Sequence, residues 1–484
     1  MPEIDRLVKR LSYFLVLGLL LGFVMTGSLN EAAAQNGPAS TVIQVDFATV
    51  LGQSPTYYGV ENSWIDQDRE LYIDRYRRLH GNVVRAQITQ AIFEPVNDDD
   101  DPQNWSGDFS ALTIPIDSQR GKTFTYGDMF TTLQSEFPDM HFQINVWLAA
   151  RWNASNENGY LGFGGAFPPI DSAEHSEFIR ELARWLVEEC GIAPERLSFT
   201  FVNEPNLTPF FVGTVDDLVR MAEITRAALD EVSPAIRMGG LDEVHGTSWS
   251  DQFAQKVSAG CCDMWTFHVY ESGLDAMWQA LDQRIRNLSN YGPVWVTEFA
   301  DLENGSPDSL MDFSTRQAAL EFAVLLGRLW SSNIEGVIHF RMSDTYSDQF
   351  NGWAGHGLFA DARGSKSNGN AYEPYPVFWV FANMYTQLGG GAIVQTTAPD
   401  ILDVVAVRRD DADGAHFAIW VTNTSEQDIS VTFAMENLPE GTLRGEIFNN
   451  LVGDTPFATQ RFDGDEFEMT IPGRSSYTYV FTTS

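Results

Sequence analysis

The chain has 484 residues, with 66 Asp and Glu against 30 Lys and Arg, and its formal net charge is -36. This length exceeds that of one small domain, and the 44% of hydrophobic residues supply enough core to exclude global disorder. The acidic balance argues against nucleic acid or an anionic membrane surface as the main partner, because phosphate binding draws on Lys and Arg.

Residues 1–34 carry the pattern of a signal peptide. Three basic residues precede the apolar run from Phe14 to Met25, and Ala32-Ala33-Ala34 offers the small residues of a cleavage site. We therefore expect cleavage near Ala34 and a secreted or periplasmic protein that does not contact the membrane afterwards. An uncleaved anchor is the alternative, although the run is shorter than the roughly 18 apolar residues of a membrane span.

The chain contains only three cysteines, Cys190, Cys261 and Cys262. This count excludes a disulfide-stapled scaffold, and the odd number leaves at least one thiol unpaired within the chain. Because there is no C-x-x-C motif and there are only 8 His residues, a structural zinc site is not expected. We predict that the protein needs neither a metal nor a cofactor.

From about residue 57 to residue 388, short β-rich runs alternate with helical patterns, which predicts a parallel α/β fold. The eight predicted strands are Tyr57–Glu61, Asn82–Gln87, His141–Trp147, Leu197–Asn203, Ile236–Gly240, Met264–His268, Val294–Thr297 and Gly336–Phe340. The clearest predicted helices are Ser176–Glu189, Val215–Val232, Leu274–Leu288, Thr315–Ser331 and Pro376–Leu388. This alternation predicts a (β/α)8 TIM barrel at residues 57–388. A doubly wound open sheet is the alternative, but no G-x-G-x-x-G motif or P-loop follows any strand.

After Gly389-Gly390-Gly391 the helical patterns stop. Six β-runs follow, at Ile401–Arg408, His416–Thr422, Ile429–Met435, Leu443–Asn449, Glu466–Ile471 and Ser476–Phe481. They predict an antiparallel β-sandwich at residues 389–484. An N-terminal segment at residues 35–56 contains the strand-like stretch Thr41–Phe47, which is a candidate to join this sandwich.

Two glutamates stand at predicted strand ends, where the active groups of a barrel are found. The fourth strand runs into Asn203-Glu204-Pro205, and the seventh runs into Thr297-Glu298-Phe299. A buried carboxylate there is costly unless it has a function or a charged partner. Each Glu alone is equally compatible with a place beside a helix terminus or with a salt bridge. The pair at strands four and seven is a far more specific indication of catalysis.

The motifs Asn203-Glu204-Pro205 and Thr297-Glu298 together resemble the clan A glycoside hydrolases. Further matches are Arg85 after strand two, His268-Val269-Tyr270 after strand six, the Trp-rich segment Trp147 to Asn153, and Pro374 to Phe378 before the sandwich. The Trp-rich segment is similar to family 30, and the segment before the sandwich is similar to families 30 and 39. The resemblance covers about residues 41–484. It implies an exported retaining β-glycoside hydrolase that acts on a polysaccharide or oligosaccharide, with Glu204 as acid/base and Glu298 as nucleophile.

Retaining hydrolysis needs an acid to protonate the leaving oxygen and a carboxylate about 5–5.5 Å away to attack the anomeric carbon. We expect the surroundings of Glu204 to keep it protonated, and we expect Arg85 and the Tyr270 hydroxyl to keep Glu298 ionised. Asn203 is expected to hydrogen-bond the sugar 2-hydroxyl. The alternatives are a structural ion pair for Arg85 and a satisfied core position for His268.

Several residues are candidates for substrate binding. Sugar rings stack on indoles, which points to Trp64, Trp147 and above all Trp152, with Asn153 beside it, although large aromatics are mostly packing residues. Clan A enzymes often end strand eight in Trp, where this chain has His339-Phe340-Arg341. Phe340 is the candidate to replace the stacking surface. Arg341 is the candidate to contact a substrate hydroxyl or an acidic group.

Two other functions compete with hydrolysis. One is a carbohydrate-binding barrel without turnover, and the other is a different chemistry on the same fold. The acidic run Asn97–Asp101 is interpreted as a solvated loop, because it lacks the Gly and the distal Glu of an EF-hand Ca2+ loop. The net negative charge disfavours polyanionic substrates. The sugar specificity, endo or exo action and the oligomeric state stay open.

Overall fold

The computed structural model describes most of the chain after residue 40. The described residues are 41–62, 69–97, 107, 109, 126–162, 164–246, 248–301, 313–347, 352–354, 356–360, 372–411, 414–438, 443–462 and 464–483. The predicted signal peptide at 1–34, Trp64 and Asp98–Asp101 lie outside them. Within these ranges, no helix has the length and apolar character needed to cross a membrane.

The first region contains a parallel sheet. Its eight described strands are β2 (Tyr57–Glu61), β3 (Val83–Thr89), β4 (His141–Leu148), β7 (Leu197–Thr200), β8 (Arg237–Met238), β9 (Trp265–Glu271), β10 (Val294–Asp301) and β11 (Gly336–His339). They are ordered β8-β7-β4-β3-β2-β11-β10-β9, and all pairings are parallel. Two isolated parallel bridges connect the segment after β8 to β9. Gly239 pairs with Met264, the residue before β9, and Glu243 pairs with Phe267 within β9.

Helices lie between these strands. The nine described helices are α1 (Arg69–Leu79), α2 (Gln90–Phe93), α3 (Tyr126–Glu136), α4 (Ser172–Glu188), α5 (Val215–Val232), α6 (Ser248–Ala254), α7 (Leu274–Leu288), α8 (Arg316–Trp330) and α9 (Pro376–Leu388). Helix α5 begins at a capping box in which the Thr214 hydroxyl accepts from Asp217 N and the Asp217 carboxylate accepts from Thr214 N. The predicted start of this helix is therefore confirmed.

The strands of the parallel sheet are buried on both faces, which explains their nearly continuous apolar composition. Six of the seven residues of β3 are buried. One of these six is Arg85, whose side chain has no solvent exposure. A buried guanidinium is stable only with counter-charges inside the protein. The packing of β3 therefore already requires acidic partners at this point of the sheet.

The second region is a nine-stranded, mostly antiparallel sheet. Its strands are β1 (Thr41–Gln53), β14 (Ala392–Thr397), β15 (Leu402–Asp411), β16 (Gly414–Asn423), β17 (Ile429–Glu436), β18 (Leu443–Asn449), β19 (Ala458–Phe462), β20 (Glu466–Ile471) and β21 (Ser475–Thr483). Their order is β19-β18-β21-β16-β15-β14-β1-β17-β20. The rings of Phe433 and Tyr479 lie 5.1 Å apart although their strands are far apart in this order, so the sheet bends over on itself.

Strand β1, which contains the stretch that was a candidate to join the sandwich, is part of the nine-stranded sheet. It pairs antiparallel with β14 but parallel with β17, with Thr41 opposite Val431. Strands linked by hairpin turns must run antiparallel, whereas β1 arrives from the other end of the chain and is free of that constraint. Every described pairing within residues 389–484 is antiparallel, as predicted, and the parallel pair arises only where β1 joins the sheet.

The two regions contact each other through α8. The indole Nε1 of Trp420 donates to Ala323 O at 3.1 Å, and Arg328 Nε pairs with Asp403 at 3.0 Å. Two short antiparallel pairs, β5 (Ala154–Asn156) with β6 (Ala166–Pro169) and β12 (Thr345–Ser347) with β13 (Gly352–Ala354), lie in long connections of the first region.

Candidate active site

The carboxyl ends of the parallel strands bring six buried titratable side chains into one cluster. These are Glu61, Arg85, Glu204, Asp242, His268 and Glu298. They come from six different strands or the segments that follow them, so only the folded sheet brings them together. The sequence analysis had singled out four of the six.

Glu298 lies inside a strand, not directly after one as predicted, because β10 continues to Asp301. The register between β10 and β9 shifts between Val296 and Glu298, which leaves Thr297 as an extra residue. Such a bulge interrupts the alternation of side chains between the two faces. As a result, Thr297 Oγ1 reaches Asp242 Oδ1 at 2.7 Å, while the adjacent Glu298 reaches Arg85.

Glu204 has an unusual backbone conformation. It lies four residues after the end of β7 and has a φ of 41°, in the left-handed region that residues other than glycine rarely adopt. Its N–H donates to Asp242 O at 3.0 Å, and its carbonyl accepts from Leu207 N at 2.8 Å. Backbone strain of this kind persists where the surroundings fix it, and it is concentrated at functional sites.

Arg85 is the charged centre of the cluster. Its Nη1 donates to both Glu61 and Glu298, and its Nη2 donates to Asp242 Oδ2 and Asn203 Oδ1, each at 3.2 Å. Burial alone lowers the pKa of Arg85, but the carboxylates, Glu298 foremost, raise that pKa above its ordinary value. The guanidinium therefore stays charged, and it contacts Glu298 as the sequence predicted.

Two further donors hold the carboxylate of Glu298. The hydroxyl of Tyr270 donates to Oε2 at 2.5 Å, and the amide of Gln87 donates to Oε1 at 3.2 Å. Strand β9 continues to Glu271, so Tyr270 points to the same side as His268, two residues earlier. The predicted contact between Tyr270 and Glu298 is present.

The two catalytic candidates have unequal surroundings. Burial, reinforced by the charge of Glu298, raises the pKa of Glu204 well above its ordinary value. Burial also raises the pKa of Glu298, but Arg85 and the Tyr270 hydroxyl oppose that rise. The two partners that we expected to keep Glu298 ionised are therefore in place, and burial acts against them. Because Glu298 has the stronger opposing partners, it is the first of the two to ionise.

His268 belongs to the cluster as well as to the core. Its Nδ1 shares a hydrogen bond of 2.9 Å with Glu204 Oε1, and its Nε2 lies 3.5 Å from Arg85 Nη2. Burial, together with the charges of Arg85 and Arg284, lowers the pKa of His268 well below its ordinary value. A neutral ring therefore faces the carboxyl group of Glu204.

The sequence analysis missed Glu61 and Asp242. Glu61 is the last residue of β2, so the strand-end rule used for Glu204 would have identified it. Asp242 follows the very short strand β8 by four residues, and it is bound by Asn145, Thr200 and Thr297. No signal in the sequence around Asp242 indicates those three contacts, because its partners come from three other strands.

The predicted Trp-rich segment lies near the cluster but serves partly as structure. Trp147 packs 6.2 Å from both Tyr160 and Phe210. The Trp152 indole donates to Glu94 O, and Asn153 exchanges hydrogen bonds with the backbone of Asp171. Both polar atoms of the Asn153 side chain are thus used within the protein, which its position in the motif did not indicate.

Aromatic and basic residues from other loops border the site. Phe340 lies 6.4 Å from the ring of Tyr270, and the guanidinium of Arg341 lies 5.5 Å from the Phe340 ring. Tyr160 stacks on Phe210, and the charges of Glu204 and Glu298 contribute to the rise that burial causes in the pKa of Tyr160. Both carboxyl groups thus act electrostatically on Tyr160, which was not among the residues predicted from the sequence.

Glu204, His268 and Glu298 each offer a potential metal-ligand atom, and these three atoms lie within 4.8 Å of one another. Hydrogen bonds to Arg85 and Tyr270, and between His268 and Glu204, already use these side chains. The arrangement has the chemistry of a candidate acid–base pair. One carboxyl group is disposed to carry a proton, and its neighbour is disposed to carry a charge.

Comparison with known proteins agrees with this chemistry. A family model described as the glycosyl hydrolase catalytic core matches residues 218–346, a range that includes Glu298 and Tyr270. A comparison with curated protein sequences finds no match.

Solved structures of glycosidases share the fold. A family 30 endoxylanase from Clostridium papyrosolvens has a TM-score of 0.65 and 14% identity, over 92% of this chain and 100% of that one. A family 39 enzyme from Xanthomonas axonopodis pv. citri has a TM-score of 0.64 and 14% identity, over 94% and 100%. A monomeric β-xylosidase from Caulobacter crescentus has a TM-score of 0.64 and 14% identity, over 92% and 99%.

The predicted resemblance to clan A glycoside hydrolases and the predicted enzyme class are therefore confirmed. At such low identity the solved structures establish the fold, and the family model establishes the catalytic core. The chain is a glycosidase with the fold of glycoside hydrolase families 30 and 39.

Proposed function

We propose that the protein is an exported retaining β-glycoside hydrolase that cleaves a polysaccharide or oligosaccharide by double displacement. The observation that supports this most directly is the separation of two carboxyl oxygens, one from Glu204 and one from Glu298, which lie within 4.8 Å of each other. Retaining enzymes place their carboxyl groups about 5–5.5 Å apart, whereas inverting enzymes leave about 6.5–9.5 Å for a water molecule.

The proposed architecture places this site at the mouth of a closed (β/α)8 barrel at residues 57–388, with a β-sandwich at residues 389–484 that also includes β1. The bridges from Gly239 to Met264 and from Glu243 to Phe267 support closure, because they connect the two edges of the parallel sheet. A signal peptide at residues 1–34 is proposed to direct export, on the pattern of its sequence.

In the first step Glu298 Oε attacks the anomeric carbon. The bond from that carbon to the leaving oxygen breaks, and the leaving oxygen takes the proton of Glu204. The result is a glycosyl ester on Glu298 and a carboxylate at Glu204. Burial keeps Glu204 protonated until this moment, while Arg85 and Tyr270 hold Glu298 in its reactive orientation.

In the second step water attacks the same carbon. Its proton passes to Glu204, its oxygen bonds to the anomeric carbon, and the ester electron pair returns to Glu298. Asn203 is held by Arg85 at 3.2 Å and is proposed to hydrogen-bond the sugar 2-hydroxyl. Trp147, Phe340 and Arg341 are proposed as substrate-contacting residues on the border of the site.

Polymers of β-linked xylose or glucose are the proposed substrate class. The similar structures carry the names endoxylanase, glucosidase and β-xylosidase, which describes those proteins. For this chain the names define the panel to test: xylan, β-glucan, and the nitrophenyl β-xyloside and β-glucoside. The sizes of the products would distinguish endo from exo action. Activity that EDTA abolishes would point to a different, metal-dependent chemistry on this fold.

The role of Glu298 is tested by the Glu298→Ala variant. We expect kcat/KM to fall by roughly 10⁴-fold or more, as when other covalent nucleophiles are removed, with unchanged circular dichroism. Azide fits the vacated space and should yield a glycosyl azide of inverted configuration. Full activity of the variant would overturn the assignment. Sugar binding by the wild-type protein without any turnover would instead favour a non-catalytic binding protein.

A further inference from the structure

Glu61 is a third carboxyl group within reach of the nucleophile, and no step of the proposed mechanism uses it. It ends β2, it is 5% exposed, and its Oε2 accepts from Arg85 Nη1, the same nitrogen that donates to Glu298. A carboxyl group buried this deeply is costly unless a partner or a function compensates for it. Glu61 and Glu298 therefore share one hydrogen-bond donor, Arg85 Nη1.

Asp242, the third carboxylate bound to Arg85, differs from Glu61 in the number of its hydrogen-bond partners. Besides Arg85 Nη2, it accepts from Asn145 at 2.9 Å, Thr200 at 2.8 Å and Thr297 at 2.7 Å. Among the described residues, Glu61 receives a side-chain hydrogen bond from Arg85 alone. The Glu61 carboxylate can therefore change its charge without breaking other side-chain hydrogen bonds, whereas Asp242 is fixed by three further donors.

We propose that Glu61 is a positioning residue that serves as the alternate counter-ion of Arg85. Glu298 fills this role in the free enzyme, and Glu61 fills it while Glu298 is esterified. This assignment rests on the proposed double displacement, in which Glu298 gives up its charge in the first step and regains it in the second.

The exchange needs no movement of the backbone, since both carboxyl groups already contact the same nitrogen. When the ester forms, the electron pair of Glu298 Oε becomes the bond to the sugar, and the charge of Glu298 disappears. Arg85 then keeps its positive charge beside a neutral ester, and the ionised form of Glu61 balances it. When water releases the sugar, Glu298 recovers its charge and Glu61 can again hold a proton, which it exchanges with solvent.

The surroundings of Glu61 agree with a proton that is easily gained or lost. Burial raises the pKa of Glu61 to about 8, against the attraction of Arg85 and with the repulsion of Glu298. The other described charged or titratable groups that interact with Glu61 are Arg341, Glu204, Tyr76, Tyr126 and Tyr270. Those that face Glu298 are Glu204, Asp242, His268, Tyr160 and Tyr270.

The kinetic consequence is a split between the two steps. In Glu61→Gln the intermediate loses the counter-ion at Arg85 Nη1 and keeps only Asp242 at Nη2, so we expect glycosylation, read as kcat/KM, to fall about tenfold. The release of a trapped 2-deoxy-2-fluoroglycosyl-enzyme should be as fast as in the wild type or faster. The Glu61→Asp variant should recover part of kcat/KM. A merely structural role would slow both steps together, and that result would overturn the proposal.

A second measurement needs no substrate. Glu298→Gln is an isosteric, neutral mimic of the ester, and the pKa of Glu61 can be followed by 13C NMR of side-chain-labelled glutamate, assigned by loss of its signal in Glu61→Gln. We expect the pKa of Glu61 to fall by about one unit or more in Glu298→Gln, because Glu61 is then the only charged carboxylate that pairs with Arg85 Nη1. Glu243→Gln is the control, since Glu243 is also buried but binds the backbone and hydroxyl of Ser250.

An unchanged pKa of Glu61 in Glu298→Gln would overturn the counter-ion role, whether or not the protein hydrolyses glycosides. If that pKa falls but the protein neither turns over nor is labelled by a 2-deoxy-2-fluoroglycoside, the proposed hydrolysis has failed while the coupling of Glu61 to Glu298 stands. The two failures are thereby distinguished.

Discussion

The two sheets bury their polar side chains in opposite ways. The nine-stranded sheet buries neutral groups only among its described residues: Thr422, Asn423, Asn450, Ser475, Ser476 and Thr478. The cluster at the strand ends of the parallel sheet contains a buried arginine and four buried carboxyl groups. Neutral groups that satisfy one another stabilise a fold at little cost, whereas buried charges are expensive and rarely improve stability. The comparison indicates that the charged cluster is retained for chemistry.

The strongest test of this comparison is Arg85→Met. The change removes the only cation that hydrogen-bonds the carboxylates of Glu61, Asp242 and Glu298 among the described residues. Breaking a buried charge network in this way should cost about 3–5 kcal/mol of unfolding free energy, measured in urea, and should abolish activity. An active variant of wild-type stability would show that the carboxylates do not need this partner.

An intermediate effect is expected from Asn450→Ala in the neutral network. Asn450 donates to Ser476 Oγ and accepts from Thr478 Oγ1, at 2.9 and 2.8 Å. Loss of both bonds removes the acceptor of the buried Thr478 hydroxyl and leaves Ser476 Oγ with Thr422 as its partner, at about 1–3 kcal/mol of unfolding free energy. Hydrolytic activity at saturating substrate should not change. A large fall in kcat would contradict the division of roles between the two sheets.

The smallest expected effect is a change in the pH dependence of stability in Glu204→Gln. Burial raises the pKa of Glu204 in the folded state well above its ordinary value. Its stabilising contribution is therefore complete below the unfolded pKa and is lost as the pH rises through the folded pKa. Stability against urea should decline less steeply with rising pH in the variant than in the wild type. Identical slopes would show that Glu204 is not held protonated by the fold.

Local patterns predicted much of this fold. The helix from Val215 to Val232 was predicted with its observed bounds, because the capping signal at Thr214 and the spacing of apolar residues are both contained in the helix itself. Glu204 and Glu298 were predicted from their places near strand ends. Their roles remain proposals, but the structure brings their carboxyl oxygens within 4.8 Å.

The features that escaped prediction depend on contacts between distant segments. The bulge at Thr297 exists only relative to β9, and the parallel direction of β1 exists only relative to β17. The pKa of Glu298 reflects burial by the whole cluster, which the single residues Arg85 and Tyr270 did not reveal. Glu61 ends a strand that sequence alone had located, but its contact with Arg85 requires the neighbouring strand.

The central claim is retention through a covalent intermediate, and the anomeric configuration of the first product tests it most directly. Proton NMR during early hydrolysis of a nitrophenyl β-xyloside or β-glucoside, or of xylan, distinguishes β from α sugar before mutarotation. The carboxyl separation within 4.8 Å predicts that the β-anomer appears first. Initial release of the α-anomer would contradict double displacement and the assignment of Glu298 as nucleophile.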